Sequence, residues 1–151
     1  MATVDESTDF TDDAIVAQAK RHATASCLAL LRYAREQGNT PESAARWFGT
    51  LCAPAWEDVR GQGARQAAHW AADSMVSLGA TAREIAGDER RADVTVAGWP
   101  GDETLSFFGV SQYEADAIFS VFAAIAEYLG LQYRWQRQDD AVTMTFEQGT
   151  P

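Results

Sequence analysis

Basic charge is scarce in this chain. Its 12 Lys and Arg residues face 22 Asp and Glu residues, a formal net charge of −10, and Lys20 is the single lysine. So acidic a surface repels phosphate backbones and anionic lipid, which excludes nucleic acid and membranes as expected partners. Cysteine is scarce too, and Cys27 and Cys52 are too few for a disulfide framework,. The opening MATVDESTDF is acidic and polar, unlike the basic and then apolar start of a secretory leader,. The expectation is a cytoplasmic protein with two reduced, buried thiols. No apolar run approaches the roughly 18 residues needed to span a bilayer. Glycine-rich phosphate loops of the GxGxxG or GxxxxGK kind are missing. The two histidines, His22 and His69, and the two cysteines lack the short spacing of metal ligands, so no metal and no cofactor is expected,. An alanine- and arginine-rich composition with one lysine is what a GC-rich bacterial genome encodes.

What is present is patterned like one folded domain. A chain of 151 residues buries about 70% of its unfolded surface without staples,. Acids crowd the start, so residues 1–11 read as an acidic flexible tail and residues 12–148 as a single α+β domain,. Thr11 or Asp12 caps a long first helix closed by Gly38, with Ile15, Ala19, His22 or Ala23, Ser26, Leu30 and Tyr33 at helical spacing,. Thr40-Pro41 starts a second helix whose broad apolar face is Ala44, Trp47, Phe48, Leu51 and Cys52, and Pro54 interrupts it,. A third helix, about residues 64–78, carries Ala67, Ala68, Ala71 and Ala72, small enough for another backbone to come close.

The period then changes from helical to alternating. TAREIAG and RADVTVA read as two strands about a polar turn,. Residues 98–101 force the chain out of the sheet, and LSFFGV reads as an apolar connector,. Ser111 and Glu114 form a capping box for a helix presenting Ala117, Ile118, Val121, Phe122, Ile125 and Leu129 on one face,. A last hairpin follows in LQYRWQRQ and AVTMTFEQ. The predicted fold is α+β: three N-terminal helices, then hairpin–helix–hairpin, giving a four-stranded antiparallel sheet packed by helices on one face and polar on the other.

Chemistry-bearing groups are few. His69 and Asp73 are four apart and share a helix face, so Asp73 can orient the imidazole, and Cys52 is its nucleophile if the two helices pack together,. The plainer reading is a surface ion pair beside a thiol packed as a small hydrophobe, because no cysteine-enzyme signature surrounds it. His22 and Ser26 repeat the spacing without the strained turn that exposes a serine nucleophile,. Arg83, Arg90, Arg91, Arg134 and Arg137 read either as a cationic strip for a carboxylate or, the favoured reading, as surface paired with Glu84, Asp93, Asp139 and Asp140,.

The aromatics are the stronger signal: five Trp, four Tyr and seven Phe. A tryptophan N–H seeks a partner, so the residue lines pockets and interfaces as well as cores. GWPGDETLSFFG, shaped by glycines and a proline, is expected to form a lid or pocket wall. The leading expectation is a pocket between sheet and helices that binds a small apolar or aromatic molecule, lined by Trp56, Trp70, Trp99, Phe107 and Phe108. One alternative is a small enzyme of hydrolase or isomerase type using His69 with Asp73 or Cys52. Another is an oligomeric accessory or scaffolding protein, a homodimer joined through the alanine-rich helix and exposed aromatics.

Overall fold

The computed structural model describes residues 11–150, so the acidic segment 1–10 lies outside the described residues. Thr11, the last residue of the expected tail, is the N-cap of α1 (Asp12–Glu36) and accepts from the Ala14 amide at 3.2 Å. Thr40 does the same for α2 (Pro41–Cys52), accepting from the Ser43 amide at 3.1 Å, with Pro41 in the first turn. Pro54 ends regular α-helix there, and the chain tightens into a 3-10 segment (Ala53–Val59) before α3 (Ala64–Ser77),. Strands β1 (Thr81–Gly87) and β2 (Arg91–Ala97) form the first hairpin. Then come α4 (Asp102–Phe108), α5 (Gln112–Asp116), a 3-10 turn (Ala117–Ser120) and α6 (Val121–Leu129). Strands β3 (Leu131–Gln138) and β4 (Ala141–Gln148) close the chain.

The architecture is α+β, with three N-terminal helices and a four-stranded antiparallel sheet in the order β1-β2-β4-β3. Pairing β2 with β4 joins the two hairpins, placing Val94 against Met144 and Val96 against Val142. These side chains, with Ala92 and Phe146, form one apolar face with almost no solvent access. The other face is polar: Thr95 and Thr143 share a hydrogen bond at 3.2 Å, and Thr145 donates to Asp93 at 2.6 Å. Helix α3 crosses the apolar face over β1, β2 and β4. Ala64, Ala67, Ala68 and Ala71 are fully buried in that contact. Methyl groups let the helix axis come close to the sheet, so the alanine stripe is used within the chain and is not free for a second copy.

Three local expectations are corrected. LSFFGV is not a connector: its first residues belong to α4, which Asp102 and Glu103 open and left-handed Gly109 closes,. It is too short to show a period. The buried face of α1 is Thr24, Leu28, Leu31 and Ala34, while Ile15 and Tyr33, like all of residues 12–19, are exposed. Helix α2 buries Ala45 and Gly49, turning Trp47 and Leu51 outward. The reason is close approach. A Cβ on Gly49 would sit 2.2 Å from the Val121 carbonyl oxygen, so α2 meets the start of α6 through its smallest side chains rather than its largest,.

Replacing Gly49 by Ala tests that contact. Helix propensity alone favours alanine by about 1 kcal/mol. The clash with backbone outweighs it, and G49A is expected to lose about 2 kcal/mol of unfolding free energy in urea titration. An unchanged or raised midpoint would show that α2 and α6 are not locked at this distance.

Candidate functional site

The second half of α1 meets the turn after β2 through one side chain. Thr24 is buried; its hydroxyl donates to the Leu78 carbonyl at 2.6 Å and accepts from Trp99 Nε1 at 3.0 Å. Leu78 is the C-cap of α3, so this hydroxyl ties α1, the end of α3 and the turn carrying Trp99. Trp99 packs edge-on against Phe119, centroids 6.4 Å apart, and the peptide bond between Trp99 and Pro100 is cis. Further along α1, Arg32 donates to the Phe108 carbonyl at 3.0 Å and Arg35 to the Gly109 carbonyl at 3.2 Å. Two cations therefore hold the carbonyl end of α4, where the helix dipole favours positive charge.

Between these anchors lies a cleft of about 580 Å³. One wall is the α1 surface with Gln18, Lys20, Arg21 and His22; the other is Trp99, Pro100, Phe107 and Phe108, with Glu103 and Thr104. Arg21 Nε donates to Gln18 Oε1 at 3.1 Å, and Gln18 Nε2 lies 2.8 Å from His22 Nε2. With its oxygen taken by Arg21, the Gln18 amide donates to the ring, which places the imidazole proton on Nδ1. Ser26 donates its hydroxyl to the His22 carbonyl at 2.9 Å, so it is bonded back to its own helix and forms no Ser–His pair with the ring,. Phe107 is 81% exposed, with its ring 5.1 Å from Phe108 at 77°.

The five aromatics expected in one pocket occupy two places, and neither is the sheet–helix seam. Trp99, Phe107 and Phe108 line the cleft. Trp56 and Trp70 stack on each other at 5.4 Å, and Trp56 also meets Phe122 at 6.0 Å. Trp56 faces a second cavity of about 330 Å³ among α1, α2, α3 and α6, which holds both Cys27 and Cys52 and has no charged residue in its wall; Trp70 lines neither space. Burial, and then the neighbouring Cys52, pushes the Cys27 thiol up to about 11; burial also raises Cys52. His69 Nδ1 and Asp73 Oδ2 are 3.2 Å apart on the solvent side of α3, and neither residue is in the wall that holds Cys52. The thiol thus has no base, and its protonated form is favoured.

Four of the five arginines of the expected strip are paired, Arg91 with Asp93 at 4.0 Å among them, while Arg90 has no carboxylate partner among the described residues. Arg83 meets Asp140 at 2.6 Å and Arg134 meets Glu147 at 3.4 Å. Arg137 makes a two-pronged contact with the buried Asp116 at 2.5 and 2.7 Å,. Gln112 binds the same carboxylate at 2.8 Å and reaches the Trp99 carbonyl at 3.4 Å. Among the described residues no group of three or more His, Cys, Asp or Glu side chains is placed to hold a metal ion, and no helix is long and apolar enough to cross a membrane. No protein-family model, curated protein or solved structure matches the chain.

The thiols give a pH test. The folded chain holds the Cys27 proton more tightly than the unfolded chain, so the thiol costs no stability below about pH 9, and stability falls as pH rises toward 11,. The slope from this one group is roughly 1 kcal/mol per pH unit. Urea unfolding of wild type and Cys27→Ser between pH 8 and 11 is expected to show a shallower decline in the variant. Parallel declines would place the effect on other groups, first the Cys52 thiol, also raised by burial, and then the Tyr133 phenol.

Proposed function

We propose that this protein is a cytoplasmic small-molecule-binding domain whose ligand, a small aromatic molecule, lies in the cleft between α1 and residues 98–108. The observation that carries this reading is Phe107: a benzyl ring 81% exposed on the wall of a cleft that it shares with Trp99, Pro100 and Phe108. Covering such a ring gains on the order of 1–2 kcal/mol in area terms. The cleft volume falls within the roughly 300–1,000 Å³ of ordinary ligand sites,. The aromatic wall is tied to α1 at both of its ends, through Thr24 at Trp99 and through Arg32 and Arg35 at Phe108 and Gly109, so little ordering remains for a ligand to impose,. Two unbridged thiols, Cys27 and Cys52, accord with a reducing compartment,.

A neutral aromatic probe tests the cleft. Calorimetric titration with 2-naphthamide is expected to show saturable binding, weakened about fivefold by Phe107→Ala. Absence of binding to wild type, or binding indifferent to that substitution, would move the ligand elsewhere.

A second reading, self-association, is favoured by a different face. Tyr33, Trp47 and Leu51 are 62%, 59% and 60% exposed on α1 and α2, and Leu30, Tyr33, Ala44 and Trp47 share a groove. With Phe48 these side chains leave on the order of 500 Å² to solvent, a size at which patches commonly mark contacts. A second copy meeting this face would reach about 800 Å² per partner with modest help from the rim. Light scattering across concentrations is expected to show a dimer that Trp47→Glu or Leu51→Glu dissociates. A wild-type monomer at every concentration would remove this reading.

A further inference from the structure

We propose that the ligand of the cleft is a small planar monoanion, an aromatic ring bearing one carboxylate-like group, its ring against Phe107 and Trp99 and its acid against Lys20 and Arg21. This rests on the cleft reading given above. It follows from where the chain leaves its cations. Of 12 Lys and Arg residues, eight have a carboxylate within 4.0 Å: Arg32, Arg35, Arg46, Arg60, Arg83, Arg91, Arg134 and Arg137. In a protein with 22 acids such pairing is the default state of a cation. Four have no carboxylate partner among the described residues, and two of those four, Lys20 and Arg21, line this one cleft.

Among the described residues their other contacts leave their charge unneutralised. Among the described residues the Arg21 guanidinium donates only to the neutral Gln18 carbonyl, which orients it without neutralising it. Lys20 is half-buried, its stem laid along the wall,. Glu103, the one carboxylate in the wall, sits on the opposite side and is not within ion-pair distance of either cation. The cleft therefore pairs a cationic wall with an aromatic wall, and a guest complementary to both is flat, apolar on one side and acidic on the other. A planar guanidinium matches a carboxylate with two parallel hydrogen bonds.

Charge also limits the class from above. The protein's net charge of −10 opposes any approaching anion. That repulsion is screened beyond about 8 Å in physiological salt, whereas contact with two unpaired cations is not. One negative charge is offset locally by this wall; the several charges of a nucleotide are not, and no glycine-rich loop is present to cradle them.

Calorimetric titration of the full chain with 2-naphthoate and its neutral isostere 2-naphthamide separates the two claims. Wild type is expected to bind 2-naphthoate about tenfold more tightly than 2-naphthamide. The double variant Lys20→Gln/Arg21→Gln, on exposed and half-exposed positions, is expected to erase that difference by weakening 2-naphthoate alone, with unchanged far-ultraviolet circular dichroism. Phe107→Ala is expected to weaken both probes. Equal affinity of the two probes for wild type, or a preference for the acid that survives the double variant, overturns the anion while the cleft stands. Binding of neither probe overturns both.

Discussion

The hydroxyl of Thr24 is the joint on which this architecture turns. Helix α1 has core contacts only along its second half, and its apolar residues there would pack acceptably at several rotations. What selects one rotation is a buried oxygen that must accept from the Trp99 indole and donate to the Leu78 carbonyl together. Each bond adds only about 1 kcal/mol net, yet leaving either partner dry and unpaired costs about 1–3 kcal/mol. The arrangement acts less as a source of stability than as a penalty on every other register. A valine there would fill the same space and remove the selection. Because Leu78 ends α3 and Trp99 follows β2, the same atom sets where the sheet's apolar face ends and the cleft begins.

A second polar node carries that placement into the sheet. Asp116 is buried at the end of α5 and takes both prongs of Arg137 from β3, while Gln112 bridges the carboxylate to the Trp99 carbonyl. Trp99 is thus held at its indole by α1 and at its backbone by α5, with Phe119 against its ring. None of the buried side-chain polar atoms among the described residues lacks a partner. That matters here because a half-satisfied network would cost more than an apolar replacement. The aromatic wall of the cleft is rigid for this reason, apart from Phe107, which no such contact restrains.

Much of the fold could be read from local chemistry. Thr11, Thr40 and Ser111 are caps because a hydroxyl at that position meets orphan amides within three residues, and no distant element can change that,. Strand β3 could be read because Leu131, Tyr133 and Trp135 alternate strictly with polar residues, and a period of two admits one buried face. The helix faces were harder. Helices α1 and α2 are apolar on more than one side, and the deciding contacts, Gly49 against Val121 and Thr24 against Trp99, join residues far apart in the chain. The size of a side chain pointed the wrong way on α2, since closeness of backbones outweighed the area of Trp47 and Leu51. The abundance of aromatics was plain in the sequence, but their division into two groups was not: Trp56 meets Trp70 only because a 3-10 segment folds back onto α3. Thr24 carries no local signal at all, being one threonine inside a helix.

The cationic wall of the cleft stands at the place where α1 parts from the body. Residues 12–19 are exposed, with Gln18 in the cleft wall, while Thr24, five residues beyond them, is buried. Among the described residues, Lys20 and Arg21 fall between an exposed first stretch of α1 and a second stretch held by tertiary packing. An isolated stretch of that length is marginal as a helix in water. A guest held by Lys20 and Arg21 would therefore take its charge contacts from the exposed half of a helix whose other half is fixed in the core.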